Sequence, residues 1–251
     1  MKAVILGCGG SVGVPRIDGA WGACDPNEPR NRRSRGSILV ELDDTRILVD
    51  TSPDLRSQFI ANGLHWVSAV VWTHDHADQT HGIDDIRILA YTAQKRVPAW
   101  GDDFTLNRLF KKFGYCFETM GGYPAILEPC RIDGDFQIGP VQVKPFRQDH
   151  GGMHSLGFRF NDALAYSNDV VGLDEAAFAA LAGVKVWVVD ALRYKPHPTH
   201  SHLEQTLRWI ERVKPERAIL TNMHIDLDYA TLCRELPAGV EPAYDGMVIE
   251  C

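Results

Sequence analysis

Three imidazoles and a carboxylate, His74, His76, Asp78 and His81, fall within eight positions in the stretch Thr73-His-Asp-His-Ala-Asp-Gln-Thr-His-Gly82, with Asp75 between the first two. Imidazole nitrogen and carboxylate oxygen are ligands of zinc, manganese or iron, not of calcium. His74 and His76 are two apart, so in an extended segment their side chains leave on the same side. The bland alternative is a solvated polar turn. Against it, the chain has only 10 His in 251 residues and places three of them here. A metal centre is the working expectation, and the rest of the chain must supply further ligands.

The elements that position this motif are legible around it. It follows directly on the apolar run Ala69-Val70-Val71-Trp72, a buried strand that gives way to a loop. Residues 2–6 read as another buried strand, broken by a loop with four glycines between Gly7 and Gly13 that lacks both the P-loop Lys and the G-x-G-x-x-G spacing. Residues 16–36 are a polar excursion. Residues 37–41 and 46–49 read as a hairpin ending at Asp50, and residues 54–62 as a helix closed by Gly63. Helical spacing recurs over 83–93, 104–113, 173–181 and 203–213. Strand patterns occupy 136–146, 156–160, 163–166, 184–190 and 217–221, with a second His-bearing loop from Gln148 through His150 to His154. Strands thus end at or near Asp50, His74 and His76, His150, Asp169 and His224. Loops at one edge of a sheet scaffold are where α/β proteins place their sites.

Composition narrows the class. Charged residues at 24% and hydrophobic ones at 45% are ordinary for a soluble globular protein, and one domain over residues 1–251 is expected. The net charge of −7 makes nucleic acid an unfavoured partner, because neutralising phosphates needs clustered Lys and Arg, and the one basic cluster is Arg30 to Arg35. Six Cys without a C-x-x-C pair read as free thiols of a reducing cytosol. No apolar stretch approaches a membrane span, so a cytoplasmic, unprocessed protein is expected. The oligomeric state stays open, a homodimer included.

The chain resembles the metallo-β-lactamase superfamily, and within it the branch of the phosphoribosyl cyclic phosphodiesterases, with tRNase Z and PqqB-type proteins as relatives. The residues that carry this likeness are the opening Leu6-Gly-x-Gly-x-Ser-x-Gly-Val-Pro15, the His motif at 74–78, Tyr166-Ser-Asn-Asp169 and the late Asp245-Gly-Met247. The resemblance implies an α/β fold, an αββα sandwich of two mixed sheets flanked by helices, with a site for two divalent metal ions, zinc or manganese, on one edge. It implies that His74, His76 and His150 bind the first ion, that Asp169 bridges and that Asp78 belongs to the second. It makes Asp50 an outer partner that orients a ligand, and His202, in His-Ser-His-Leu, the proton donor to the leaving group.

The chain departs from the family pattern at two places, both at the second ion. H-x-H-x-D-H ends here in Gln79, and Leu-Thr-His reads Leu220-Thr221-Asn222. An amide oxygen is a weaker, harder donor than imidazole, so the second site should bind zinc less tightly and favour manganese. His224, ahead of His81, is the expected substitute ligand. A structural zinc, held in the resembled family by an early Cys cluster, is not expected, since only Cys24 remains and the late position is Ile225. The function implied is metal-dependent hydrolysis of a small phosphorylated or nucleotide-like substrate, with Asp78 and His202 in catalytic roles and Arg32, Arg33, Arg35 and Arg87 as candidate phosphate clamps. RNA 3′-end processing and a one-metal binding module without catalysis are the alternatives.

Overall fold

The computed structural model describes residues 1–251. Strands Lys2–Gly7 (β1), Ser37–Leu42 (β2), Thr45–Val49 (β3), Ala69–Val71 (β4), Val97–Gly101 (β5) and Leu127–Arg131 (β6) form most of one sheet. A second contains Phe136–Ile138 (β7), Val141–Asp149 (β8), His154–Phe160 (β9), Leu164–Ser167 (β10), Val186–Asp190 (β11), Arg217–Thr221 (β12) and Val240–Pro242 (β13). Val248–Glu250 (β14) returns to the first sheet beside β1, so that each sheet has seven strands. Read from β14 and from β7, both sheets run through three antiparallel pairings and then three parallel ones. Two half-structures of one design lie in a single chain, a repeat that leaves no visible trace in the residues.

Alternation explains the layering. In β2, Ile38 and Val40 face the other sheet and join a core with Phe158, Phe160, Val188 and Ile219, while Leu39 faces outward. That outer face is covered by helices Leu55–Ala61 (α1), Ile86–Ala93 (α3) and Asp103–Phe117 (α4), which contribute Leu55, Phe59, Ile86 and Leu109; the short turn of helix Ala77–Thr80 (α2) lies between the first two in sequence. Helices Glu175–Leu181 (α5), Leu203–Val213 (α6) and Tyr229–Glu235 (α7) accompany the second sheet and pack Leu181, Leu203 and Leu232 into its core. Stretches buried on both faces are continuously apolar, as Ile47-Leu-Val49 of β3 and Val186-Trp-Val-Val189 of β11 are. The architecture is the expected αββα sandwich of two mixed sheets flanked by helices. No helix is long and apolar enough to cross a membrane.

The carboxyl ends of β3, β4, β8, β10, β11 and β12 supply the site. The parallel register aligns Val49 with Val71, Ser167 with Val189, and Asp190 with Thr221, so the residues that follow emerge side by side. Asp50, Asp169 and Asn222, each the first or second residue beyond its strand, take the left-handed backbone at φ 63°, 53° and 61°. Asp and Asn tolerate this conformation best among residues with a side chain. The two sheet edges are joined where Leu156 N–H donates to Thr73 O at 2.8 Å.

Candidate metal centre

His74, His76 and His150 converge. Their ring centroids are 4.6 to 5.2 Å apart, and His76 Nδ1 lies 3.4 Å from His150 Nε2. Asp169 Oδ2 is 3.6 Å from His74 Nε2. Two ligands about 2.0–2.1 Å from a tetrahedral ion stand about 3.3–3.4 Å apart, so these spacings suit zinc-sized coordination. His74 Nε2 is also buried without any hydrogen-bond partner, which costs free energy unless a cation takes its lone pair. The donor set fits a divalent ion.

Neighbouring groups hold these rings in the ligating form. His150 Nδ1 donates to the carbonyl of Thr199 at 2.8 Å, which leaves Nε2 with its lone pair toward the cluster. Asp50, fully buried, accepts from the Thr73 N–H and hydroxyl at 2.8 and 2.9 Å. With its hydroxyl proton donated to Asp50, the Thr73 oxygen accepts from His74 Nδ1, 3.0 Å away, and Nε2 again faces inward. Burial and the neighbouring imidazoles His150 and His76 keep the His74 pKa well below the usual histidine range, so this ring is neutral. Asp75, between the two motif histidines, is buried and held by Arg108 and Lys112, one turn apart on α4.

A second group of mutually close donors is formed by His150, Asp169 and His200. His200 Nδ1 lies 3.1 Å from Asp190 Oδ2 and 3.2 Å from Asp169 Oδ1. Burial works against its charge, but the Asp190 hydrogen bond and the carboxylates of Asp190, Asp169 and Asp78 outweigh it and raise its pKa to about 9. Asp78 stands at this side too, joined to Asp169 through the Gln79 amide, and burial together with the Asp169 charge pushes its carboxyl up to about 6.

The structure brings His74, His76, His150 and Asp169 together, with Asp78 beside them. Neither His202 nor His224 belongs to the groups of mutually close donors. His202 is the residue before α6 and makes no capping hydrogen bond, while His200, two positions earlier, faces the carboxylates. His224 joins neither donor group, and its Nδ1 lies 3.5 Å from Asp226. His81 bonds back to Ala77 O and packs edge-on against Phe113. Among the candidate clamps, Arg33 is buried and donates to the carbonyls of His224 and Leu227, which makes it a structural strut beside Cys24. Arg87 pairs with Asp84, three residues earlier in the turn that leads into α3. Arg32, over the Trp21 ring, and Arg35, paired with Asp54, line a cleft of about 450 Å³ with Gly13 and Pro15. Asp190 and His200 were missed. The signal available was the strand-end rule, since Asp190 closes a fully apolar strand.

Residues 45–225 match the model of the beta-lactamase superfamily domain. A crystallised diphosphatase from the PhnP family has 34% sequence identity and a TM-score of 0.92, with 100% of this chain and 97% of that one covered. Zinc-bound PqqB from Methylobacterium extorquens shares the fold at a TM-score of 0.81 and 18% identity, with both chains fully covered. The short form of human tRNase Z shares it at 0.71 and 15%, over 100% of this chain and 99% of that one. An octanoyltransferase of Porphyromonas gingivalis is 29% identical over 258 residues, which cover 98% of this chain and 51% of that protein. The chain therefore spans about half the length of that curated relative.

Proposed function

Because the chain belongs to the metallo-β-lactamase superfamily, in its PhnP and tRNase Z-like branch, we propose that it is a metal-dependent phosphodiesterase acting on a small phosphorylated or nucleotide-like substrate. The observation that carries this reading is the juxtaposition of two devices: a His74–His76–His150–Asp169 ligand set, and beside it a histidine, His200, oriented by a buried carboxylate, Asp190. When bound, the ion supplies Lewis acidity, offsetting charge on a phosphoryl oxygen and making water a stronger acid.

The chain's own groups do the rest. Asp190 accepts a hydrogen bond from His200 Nδ1–H, so the proton available to a departing alkoxide is the one on Nε2. Asp169 Oδ1 lies 3.2 Å from the same Nδ1 and adds a second carboxylate on that side of the ring. Arg32 and Arg35 line a cleft suited to further substrate phosphate, and Arg35 is close enough to Asp78 for their charges to interact. The net charge of −7 weighs against a long nucleic acid as substrate.

The test is hydrolysis of bis(p-nitrophenyl) phosphate and small cyclic nucleotides by protein reconstituted with Mn²⁺ or Zn²⁺. Turnover is expected, and His200→Ala should lower it by about 10²–10⁴-fold with metal content unchanged. Reconstituted protein that cleaves no phosphodiester across such a panel overturns the reading.

A further inference from the structure

The two groups of close donors differ in one respect that bears on how many ions the site holds. In the first, imidazole nitrogens of His74, His76 and His150 face one another, and His74 Nε2 has no partner. In the second, made by His150, Asp169 and His200, the carboxylate is engaged on both oxygens. Gln79 Nε2 donates to Asp169 Oδ2 at 2.6 Å and to Asp78 Oδ2 at 3.0 Å. Asn222 Nδ2 donates to Asp169 Oδ1 at 3.0 Å and stands 3.0 Å from His200 Nδ1. His200 is in turn tied to Asp190.

A carboxamide nitrogen has no lone pair to give a cation, and its hydrogens carry the partial positive charge a cation would bring. Which way such an amide points is decided by its neighbours. Turning Gln79 over would set its oxygen against two carboxylate oxygens at hydrogen-bond distance, and the Asn222 nitrogen as it stands donates to a third carboxylate oxygen, Asp169 Oδ1. Both side chains are buried, so water does not compete for these bonds. The nitrogens therefore occupy the space between Asp78, Asp169 and His200.

We propose that this chain binds one divalent ion per site, on His74, His76, His150 and Asp169, and that the Gln79 and Asn222 amides permanently fill the place of a second. The proposal rests on the metal-centre reading above and adds its stoichiometry. Asp78 and Asp169 are neutralised in part by N–H donors.

The experiment is metal titration of the full chain, stripped by a chelator and then dialysed against Mn²⁺ or Zn²⁺, with elemental analysis and electron paramagnetic resonance of the manganese form. One ion per chain is expected, with the six-line signal of isolated Mn²⁺. The double substitution Gln79→His with Asn222→His should raise the content to two and produce a spin-coupled spectrum. Two tightly held ions in the unsubstituted chain overturn the proposal, as does a folded double variant that still holds one. If the double variant does not fold, the titration of the unsubstituted chain decides alone. One ion bound without hydrolysis leaves the proposal standing and sinks the phosphodiesterase reading, whereas no ion bound sinks both.

Discussion

An imidazole is a dependable ligand only when its other nitrogen is already committed, and this chain arranges that commitment with backbone and hydroxyl oxygens. Thr199 O does so for His150, and the Thr73 hydroxyl, backed by Asp50, does so for His74. Thr73→Val keeps the shape and removes the acceptor, so ion affinity should fall by about 10–100-fold while the ligands stay intact. Competition with a chromophoric chelator measures it, and an unchanged affinity would sink the orienting role of Thr73. At this scale much was legible. His74, His76, His150, Asp169 and Asp50 all stand where strand ends and motif spacing put them. The choice between His200 and His202 was not, because alternation puts both on the same side of an extended segment. What decides is where α6 begins. His202 immediately precedes the helix, whereas His200 still lies against the end of β11, within reach of Asp190.

Elements were legible in proportion to how local their cause is. The helix at 203–213 and the strand at 217–221 have the bounds their patterns predict. β5 and β6 were not anticipated, since Pro98 and Pro129 argue against strands and their pairing is with distant segments. α7 was missed as well, although Asp228 caps it by accepting from Thr231 N–H at 2.9 Å. The same carboxylate accepts from Asp25 N–H and from the Asn31 amide, which ties the loop before β2 to this helix. Partial burial acts against its charge, but these hydrogen bonds hold its carboxyl down to about 2. A lowered folded-state value means that the stabilisation is complete above about 4, the ordinary carboxylate range, and is lost as the pH falls through the folded value. Asp228→Ala should cost about 1–2 kcal/mol at neutral pH, and the deficit should shrink toward pH 2. Urea unfolding at several pH values checks this, and a deficit that persists undiminished in acid would refute it.

At the scale of the whole molecule, Asp50, Asp78, Asp169 and Asp190 bring four carboxyl groups to one edge of the sandwich. Binding of a cation by the folded chain alone stabilises it by mass action. Free ion at about 100–1,000 times its Kd should add about 2.7–4 kcal/mol, and chelation should remove it as a drop in melting temperature that excess Mn²⁺ or Zn²⁺ restores. A melting temperature indifferent to chelator would contradict the ligand set. Fold class was legible at this scale through the resemblance carried by the opening glycine loop, the His motif and Tyr166-Ser-Asn-Asp169, whereas the doubled succession of pairings was invisible until both sheets were in view.

The hydrogen bond from Leu156 to Thr73 marks where the two half-structures meet. His74 and His76 come from one half, His150 and Asp169 from the other. An ion held by all four is a clasp across a seam. The Leu156 amide then becomes a gauge of how tightly the two halves are held: its hydrogen exchange should slow when the ion is added.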